Sequence, residues 1–164
     1  MKITLIAFGK LKTPGLREAF DTYSKMIMPA WAEFQEVELK PVEVRDKSEA
    51  TKLKVKTEEA SILLEKLKRE HSSRAKVFLL DERGKAMTSS AWAEMIQKLK
   101  DQSVPEIVFC IGGSLGFDDR LKREVAGLFS LGPQTTSHEL ARVMAVEQIY
   151  RALSINHGHP YHNP

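Results

Sequence analysis

The chain has 164 residues, 42% of them apolar, so it can bury one hydrophobic core and is too short to argue for two. Its 25 Lys and Arg against 22 Asp and Glu give a formal net charge of +3, which permits contact with nucleic acid and is equally typical of an ordinary solvated surface. A single cysteine excludes a disulfide framework, and no segment resembles a signal peptide or a membrane-spanning helix. We expect one soluble, cytoplasmic domain over residues 1–164.

The first predicted unit is a strand followed by a helix. Residues 3–8 form an apolar run that Gly9 closes, as expected for a buried strand. Pro14 then opens a segment whose apolar residues recur at helical spacing as far as Ile27. Pro29 marks the end of this helix, because proline cannot continue the helical hydrogen-bond pattern.

The second unit has the same order. Residues 34–44 alternate imperfectly and contain Pro41, which predicts an edge strand because proline cannot donate to a central ladder. A helix rich in Lys and Glu follows between Ser48, whose side chain suits an N-cap, and Ser72. Its lysines are compatible with contacts to RNA phosphates, but a charged, solvent-exposed face is the commoner explanation.

Two further strand-and-helix units follow. Residues 76–81 predict a strand that ends in a polar glycine turn, and Thr88 is placed to cap the next helix. Residues 107–111 form an apolar run that ends in a Gly-Gly-x-x-Gly turn, and Asp118 caps the helix after it. The buried Cys110 in this run is expected to be an inert thiol.

The last part of the chain is a short strand, a polar turn, a long helix and a tail. Residues 129–131 predict the strand, and the helix from His138 to about Ser154 is apolar on more than one face, which indicates an oligomer interface. The tail, residues 156–164, carries three of the five histidines and Tyr161. It is either a frayed terminus or part of an active site; it lacks the ligands for a closed zinc site, so no metal is expected.

Three predicted strand ends open into polar turns, after Leu80, at Gly112 and Gly113, and after Leu131. Alternating strands and helices predict an α/β fold with a mostly parallel sheet and helices on both faces, and in such sheets ligands bind at the carboxyl ends of the strands. The glycine turn lacks the spacing of a dinucleotide or phosphate motif, and two aspartates at the following helix N-terminus disfavour phosphate. A neutral or cationic ligand fits better, although the glycines can also be purely structural.

The chain resembles the RlmH-type ribosomal RNA methyltransferases of the SPOUT class. The resemblance spans nearly the whole chain and rests on five segments: residues 80–85, 111–116, 130–143, 147–152 and 159–162. It implies a SPOUT-type α/β knot, with a deep C-terminal trefoil knot, in an obligate homodimer that binds S-adenosyl-L-methionine. It also implies methylation of N3 of a pseudouridine in 23S ribosomal RNA, with the large subunit or the assembled ribosome as substrate.

The resemblance further implies which residues form the site. The cofactor pocket would be lined by Leu80, Gly112, Gly113, Gly132, Pro133, Gln134, Thr135, Thr136 and Ser137. The catalytic residues would be Arg142, Glu147, Tyr161 and His162, from the same chain or the partner chain. His162 or Glu147 would take the N3 proton, and Arg142 would stabilise the resulting anion. From the residues alone, Arg142, Glu147 and Arg151 are also compatible with buried or interfacial ion pairs.

Two alternatives share parts of this interpretation. One is a SPOUT methyltransferase that acts on another RNA, and the other is a non-catalytic α/β module that binds nucleotides or RNA. The chain also departs from the family pattern, because Asn163 and Pro164 follow the terminal Tyr-His where a basic residue is common. A contact between the tail and RNA phosphate is therefore not expected from these two residues.

Overall fold

The computed structural model describes residues 1–163, in which strands and helices alternate from end to end. The strands are β1 (Lys2–Phe8), β2 (Glu33–Leu39), β3 (Lys76–Ala86), β4 (Glu106–Ile111) and β5 (Gly127–Ser130). The helices are α1 (Pro14–Met26), α2 (Glu49–Glu70), α3 (Ser89–Asp101), α4 (Asp119–Glu124) and α5 (His138–Asn156). Pro164 lies outside the described residues.

The five strands form one sheet in the order β2-β1-β4-β3-β5, and every neighbouring pair is parallel. All six residues of β4 are buried, because this strand lies in the middle of the sheet and is covered on both faces. Strand β2 is at one edge, which confirms the prediction made from Pro41. The strand ends at Leu39, so the proline lies just beyond the ladder.

Helices cover both faces of the sheet, as predicted. One hydrophobic cluster joins α1, α3 and α5 to the sheet, with Phe20, Trp92 and Val146 among its buried members. The other joins α2 and α4 to the opposite face through Leu63 and Leu121. The protein is therefore a three-layer α/β structure. Because the strands are parallel, their carboxyl ends point to the same side of the sheet.

The predicted helix caps are present. Ser48, Thr88 and Asp118 each accept a hydrogen bond from a backbone N–H in the first turn of α2, α3 and α4. Ser137 does the same for α5, accepting from the N–H of Leu140. These side chains satisfy donors that a helix N-terminus leaves unpaired, which explains why each helix begins where it does.

Strand β3 differs from its prediction. The sequence suggested that it ends at Asp81, but it continues to Ala86 after a register shift between Leu80 and Lys85. The second segment pairs with β5, a contact distant in sequence that local patterning does not reveal. Gly84 makes this pairing possible, because a Cβ there would lie 2.6 Å from the backbone of Phe129.

Candidate active site

A cleft of about 490 Å³ lies at the carboxyl ends of β3, β4 and β5. It is lined by the irregular part of β3 that begins at Leu80, by the Gly112 turn after β4 and by the polar turn between β5 and α5. The convergence of three strand ends, predicted from the sequence, is therefore present. Eight of the nine residues expected to bind a cofactor line this cleft: Leu80, Gly112, Gly113, Gly132, Gln134, Thr135, Thr136 and Ser137; Pro133 is not among the lining residues.

The glycine turn after β4 is shaped by close packing. The Gly116 N–H donates to the Gly113 carbonyl at 3.0 Å, and Gly116 has a φ of +73°, which favours glycine. A Cβ on Gly112 would lie 3.4 Å from the Phe117 ring. On Gly113 it would lie 2.5 Å from Oε2 of Glu59, a residue of α2. The turn therefore presents backbone groups to the cleft and has carboxylate and aromatic groups packed against it.

Carboxylates near the cleft, such as Asp81 and Asp118, are paired with a cation or with hydrogen-bond donors. Asp81 is held 2.9 Å from Lys122 Nζ, and although burial raises the pKa of its carboxyl, the bonds to Lys122 and to the Arg83 N–H lower it below its usual value. Asp118 caps α4 and also accepts from Thr57 at 3.2 Å. With Asp118 occupying the N-terminus of α4, the site is better suited to a neutral or cationic ligand than to phosphate.

A second group of candidate site residues lies on α5 and the tail. Tyr161 donates to Glu147 Oε1 at 3.0 Å, and Arg151 Nε donates to the same oxygen at 2.9 Å. The guanidinium of Arg151 also lies over the Tyr161 ring, 4.6 Å from its centroid, and 3.4 Å from Nδ1 of His162. We call these four residues, Glu147, Arg151, Tyr161 and His162, the tail cluster.

From His157 to His162 the tail is packed against the protein and is not a frayed end. Trp31 stacks on His157 with ring centroids 5.1 Å apart, and Tyr150 meets Tyr161 edge to face at 4.6 Å. Burial, followed by hydrogen bonds involving Tyr23 and Glu147, raises the pKa of Tyr161 well above its ordinary value. Tyr161 therefore remains a neutral phenol that donates a hydrogen bond to Glu147.

Arg142 is not part of the tail cluster. It is fully buried, with Nη1 at 2.8 Å from Glu38 and 3.2 Å from Glu36, and its Nη2 reaches the carbonyls of Phe8 and Gly9. Five residues separate it from Glu147, a rotation of about 140° around the helix axis, so the two side chains leave different faces of α5. The ion-pair alternative is the one found within the protomer, and Arg151 is the arginine that contacts Glu147 and Tyr161.

The cleft and the tail cluster do not meet within one chain. The cleft reaches α5 only at its first turn, through His138 and Ala141, whereas Arg151 is ten residues further on. Ten residues of α-helix span about 15 Å. Neither Tyr161 nor His162 lines the cleft. The two predicted parts of the site are therefore separated along α5.

Sequence reasoning missed Glu59 and the cleft-lining role of His138. Glu59 is buried on the stripe of α2 that also contains Val55 and Leu63, four residues before and after it. A glutamate in an otherwise apolar stripe was the signal that could have identified it. His138 lines the cleft beside Gly9, and its buried Nδ1 has no hydrogen-bond partner among the described residues.

Within residues 1–163, His, Cys, Asp and Glu side chains form no group of three or more that could hold a metal ion. In the same residues, no helix is both long and apolar enough to cross a membrane.

Comparisons with known proteins identify the family. The family model for predicted SPOUT methyltransferases matches residues 1–162. Proteins named ribosomal RNA large subunit methyltransferase H are 40% identical over 162 residues in Phenylobacterium zucineum, 36% over 166 in Brucella anthropi and 34% over 163 in Geobacter metallireducens. Each alignment covers 99% of this chain and 99% of the relative. The trefoil knot implied by the resemblance is a property of this family, and the chain belongs to the SPOUT methyltransferases.

Proposed function

We propose that this protein methylates N3 of a pseudouridine in 23S ribosomal RNA, using S-adenosyl-L-methionine, as a cytoplasmic homodimer acting on the large subunit or the assembled ribosome. The observation that carries this proposal is the single cleft formed by three strand ends in a chain that matches the family over residues 1–162. The relatives' names support ribosomal RNA as the substrate. Membership of a methyltransferase family disfavours the non-catalytic alternative.

The cleft fits S-adenosyl-L-methionine. Its volume lies within the range of about 300–1,000 Å³ that is usual for small-molecule sites. The glycine turn offers backbone donors and acceptors for an adenine-like ring, and the hydroxyls of Thr135 and Thr136 are placed for polar groups. When bound, the cofactor supplies a methyl group attached to a cationic sulfur. Once the methyl group is transferred, the sulfur remains in the departing neutral thioether.

The tail cluster supplies the groups that act on the nucleobase. N3 of pseudouridine must lose its proton before it can attack a methyl group. Both Glu147 oxygens already accept hydrogen bonds, from Arg151, Tyr161 and Gln148, whereas His162 Nδ1 has one long contact of 3.4 Å. We therefore assign the proton acceptor to His162 and the stabilisation of the imide anion to Arg151. Glu147 and Tyr161 hold the guanidinium in place.

A homodimer would bring the two parts together. The tail-cluster residues of α5 lie about 9 Å (Glu147) to about 15 Å (Arg151) along the helix from the last cleft residue, Ala141, and His162 does not line the cleft of its own chain. A partner's tail is therefore the more direct source of His162 for that cleft. A second cavity of about 440 Å³ lies beside α5, where Met87, Trp92 and Val143 line it together with polar side chains such as Glu147. Together with the exposed Leu140, it supports α5 as the dimer interface.

The substrate is tested with ribosomes, free 23S ribosomal RNA and transfer RNA from cells that lack the protein. The purified protein is incubated with each and with labelled cofactor, and the nucleosides are identified by mass spectrometry. We expect one methylated pseudouridine in the large-subunit RNA. Methylation of transfer RNA alone would favour the alternative SPOUT substrate. If calorimetry finds no cofactor binding to the folded protein, the enzymatic proposal is wrong.

A further inference from the structure

Glu59 is a buried carboxylate in contact with the glycine turn of the cleft. It is 5% exposed and projects from the middle of α2, in a layer that includes Phe8, Phe117 and Leu121. Its Oε1 accepts from the Val42 N–H at 3.1 Å, its carboxylate packs directly against Gly113, and the Gly113 N–H also lowers the pKa of the carboxyl. One side chain thus links α2, the connection after β2 and the turn after β4.

With the Glu59 carboxylate in its present position, a side chain at position 113 does not fit. A Cβ on Gly113 would lie 2.5 Å from Oε2, 2.7 Å from Oε1 and 2.9 Å from Cδ of Glu59. Gly113 does not have a positive φ, so backbone conformation does not demand glycine here. Contact with Glu59 therefore explains this glycine, and the position of the turn depends on the position of the carboxylate.

The buried carboxylate of Glu59 lowers the stability of the fold, because no cation is paired with it in the described chain. In the described chain the groups acting on its carboxyl are the two backbone N–H groups; burial raises its pKa, and these hydrogen bonds only partly oppose the increase. A buried carboxylate without a cationic partner lowers stability. A neutral side chain of the same shape would fold at least as well, so stability does not account for Glu59.

We propose that Glu59 is a positioning residue for cofactor binding, which fixes the Gly113 turn in the conformation that holds S-adenosyl-L-methionine. The inference rests on the proposed cofactor and adds a residue that does not line the cleft. Glu59 acts through the backbone of Gly113 and touches neither the reacting atoms nor the substrate base.

The test compares Glu59→Gln with Glu58→Gln, its exposed neighbour on the same helix. Calorimetry on the dimeric proteins measures the Kd for S-adenosyl-L-methionine. We expect Glu59→Gln to raise it by about tenfold to a hundredfold, the effect of losing a hydrogen bond to a charged group, while Glu58→Gln matches the wild type. The melting temperature of Glu59→Gln should equal or exceed that of the wild type.

A spectroscopic readout separates positioning from general loss of structure. Gly112 and Gly113 form the only Gly-Gly pair in the chain, so carbonyl-¹³C,¹⁵N-glycine labelling gives one unique carbonyl-to-amide correlation. We expect the Gly113 amide proton to move upfield in Glu59→Gln because it loses a charged acceptor. The other glycine amides should stay in place.

Two results would overturn the inference. One is a folded Glu59→Gln protein with the cofactor Kd of Glu58→Gln, and the other is a weaker Kd with an unmoved Gly113 resonance. Should Glu59→Gln fail to fold, Glu59→Asp decides, because its carboxylate is one methylene too short to reach both N–H groups. A folded Glu59→Asp protein with wild-type Kd contradicts the inference. Absence of cofactor binding in the wild type and Glu58→Gln would instead refute the proposed function.

Discussion

The cleft is formed mainly by backbone segments, whereas the tail cluster is formed by side chains. The cleft is lined by the irregular part of β3 and by the turns that follow β4 and β5, with glycines that bring the backbone to its surface. The tail cluster consists of four side chains on a helix and a terminal segment, held by hydrogen bonds and one cation–π contact. The position of a site built from backbone turns is therefore set by where the strands end. The position of a site built from side chains depends instead on their rotation around the helix axis and on the path of the tail.

The largest effect is expected in the tail cluster. His162→Ala should reduce kcat for methylation by about 10²- to 10⁴-fold, the usual contribution of a proton-transfer group, without changing the cofactor Kd. His159→Ala, at an exposed position of the same tail, serves as the control. Single-turnover methylation over a pH series gives the answer. Full activity of His162→Ala at every pH would show that another group accepts the proton.

The two arginines of α5 should separate stability from catalysis. Arg142→Met removes the cation that Glu38 contacts and one of the two that Glu36 contacts, since Glu36 also pairs with Arg17 at 2.9 Å. It should lower the free energy of unfolding by about 3 kcal/mol. Arg151→Met should keep most of the stability and lose methylation. Urea unfolding and activity per folded site measure both. If Arg142→Met is as stable as the wild type but inactive, Arg142 has the catalytic role that the sequence suggested.

Substitutions at two glycines test whether backbone groups of the turn after β4 bind the cofactor. Gly113→Ala should weaken cofactor binding by at least about tenfold, because either the turn or the Glu59 carboxylate packed against it must shift. Gly15→Ala, in the first turn of α1 with no atom within 4 Å of an added Cβ, should leave the Kd unchanged and stabilise the protein by up to about 1 kcal/mol. Equal cofactor affinity in the two variants would contradict this account of the turn.

The smallest effect concerns His138 at the edge of the cleft. Burial, and then the nearby Arg142, lowers the pKa of His138 below its ordinary value of 6.5. The unfolded chain therefore takes up this proton first, and stability should fall as the pH drops from about 6.5 through the lower folded value. His138→Gln should reduce this slope in urea unfolding, while His159→Gln should not. An unchanged slope in His138→Gln would exclude His138 as its source.

Much of the fold follows from local pattern. Apolar runs ending at glycine give the strands, Pro41 places β2 at the edge, and Ser48, Thr88 and Asp118 mark helix starts. The continuation of β3 to Ala86 could not be predicted in this way, because it depends on pairing with β5. The trefoil knot came from the family resemblance alone, since local patterns favour an unknotted sheet.

The candidate site was predictable to the same extent. The strand ends indicated where the cleft lies, since backbone turns at one sheet edge must meet. The role given to Arg142 could not be checked from spacing, because only packing shows that it faces the ends of β1 and β2. Glu59 was hidden among the charged residues of α2, although its place in the buried stripe was visible.

In the proposed homodimer, the cleft of one chain and the tail of its partner together form each active site. A heterodimer of Gly113→Ala and His162→Ala chains, isolated with two affinity tags, tests it by methylation of ribosomes. One of its two sites would then combine an intact cleft with an intact tail, so we predict about half the wild-type activity. Activity no higher than that of the two variant homodimers would contradict the claim and place each tail at the cleft of its own chain.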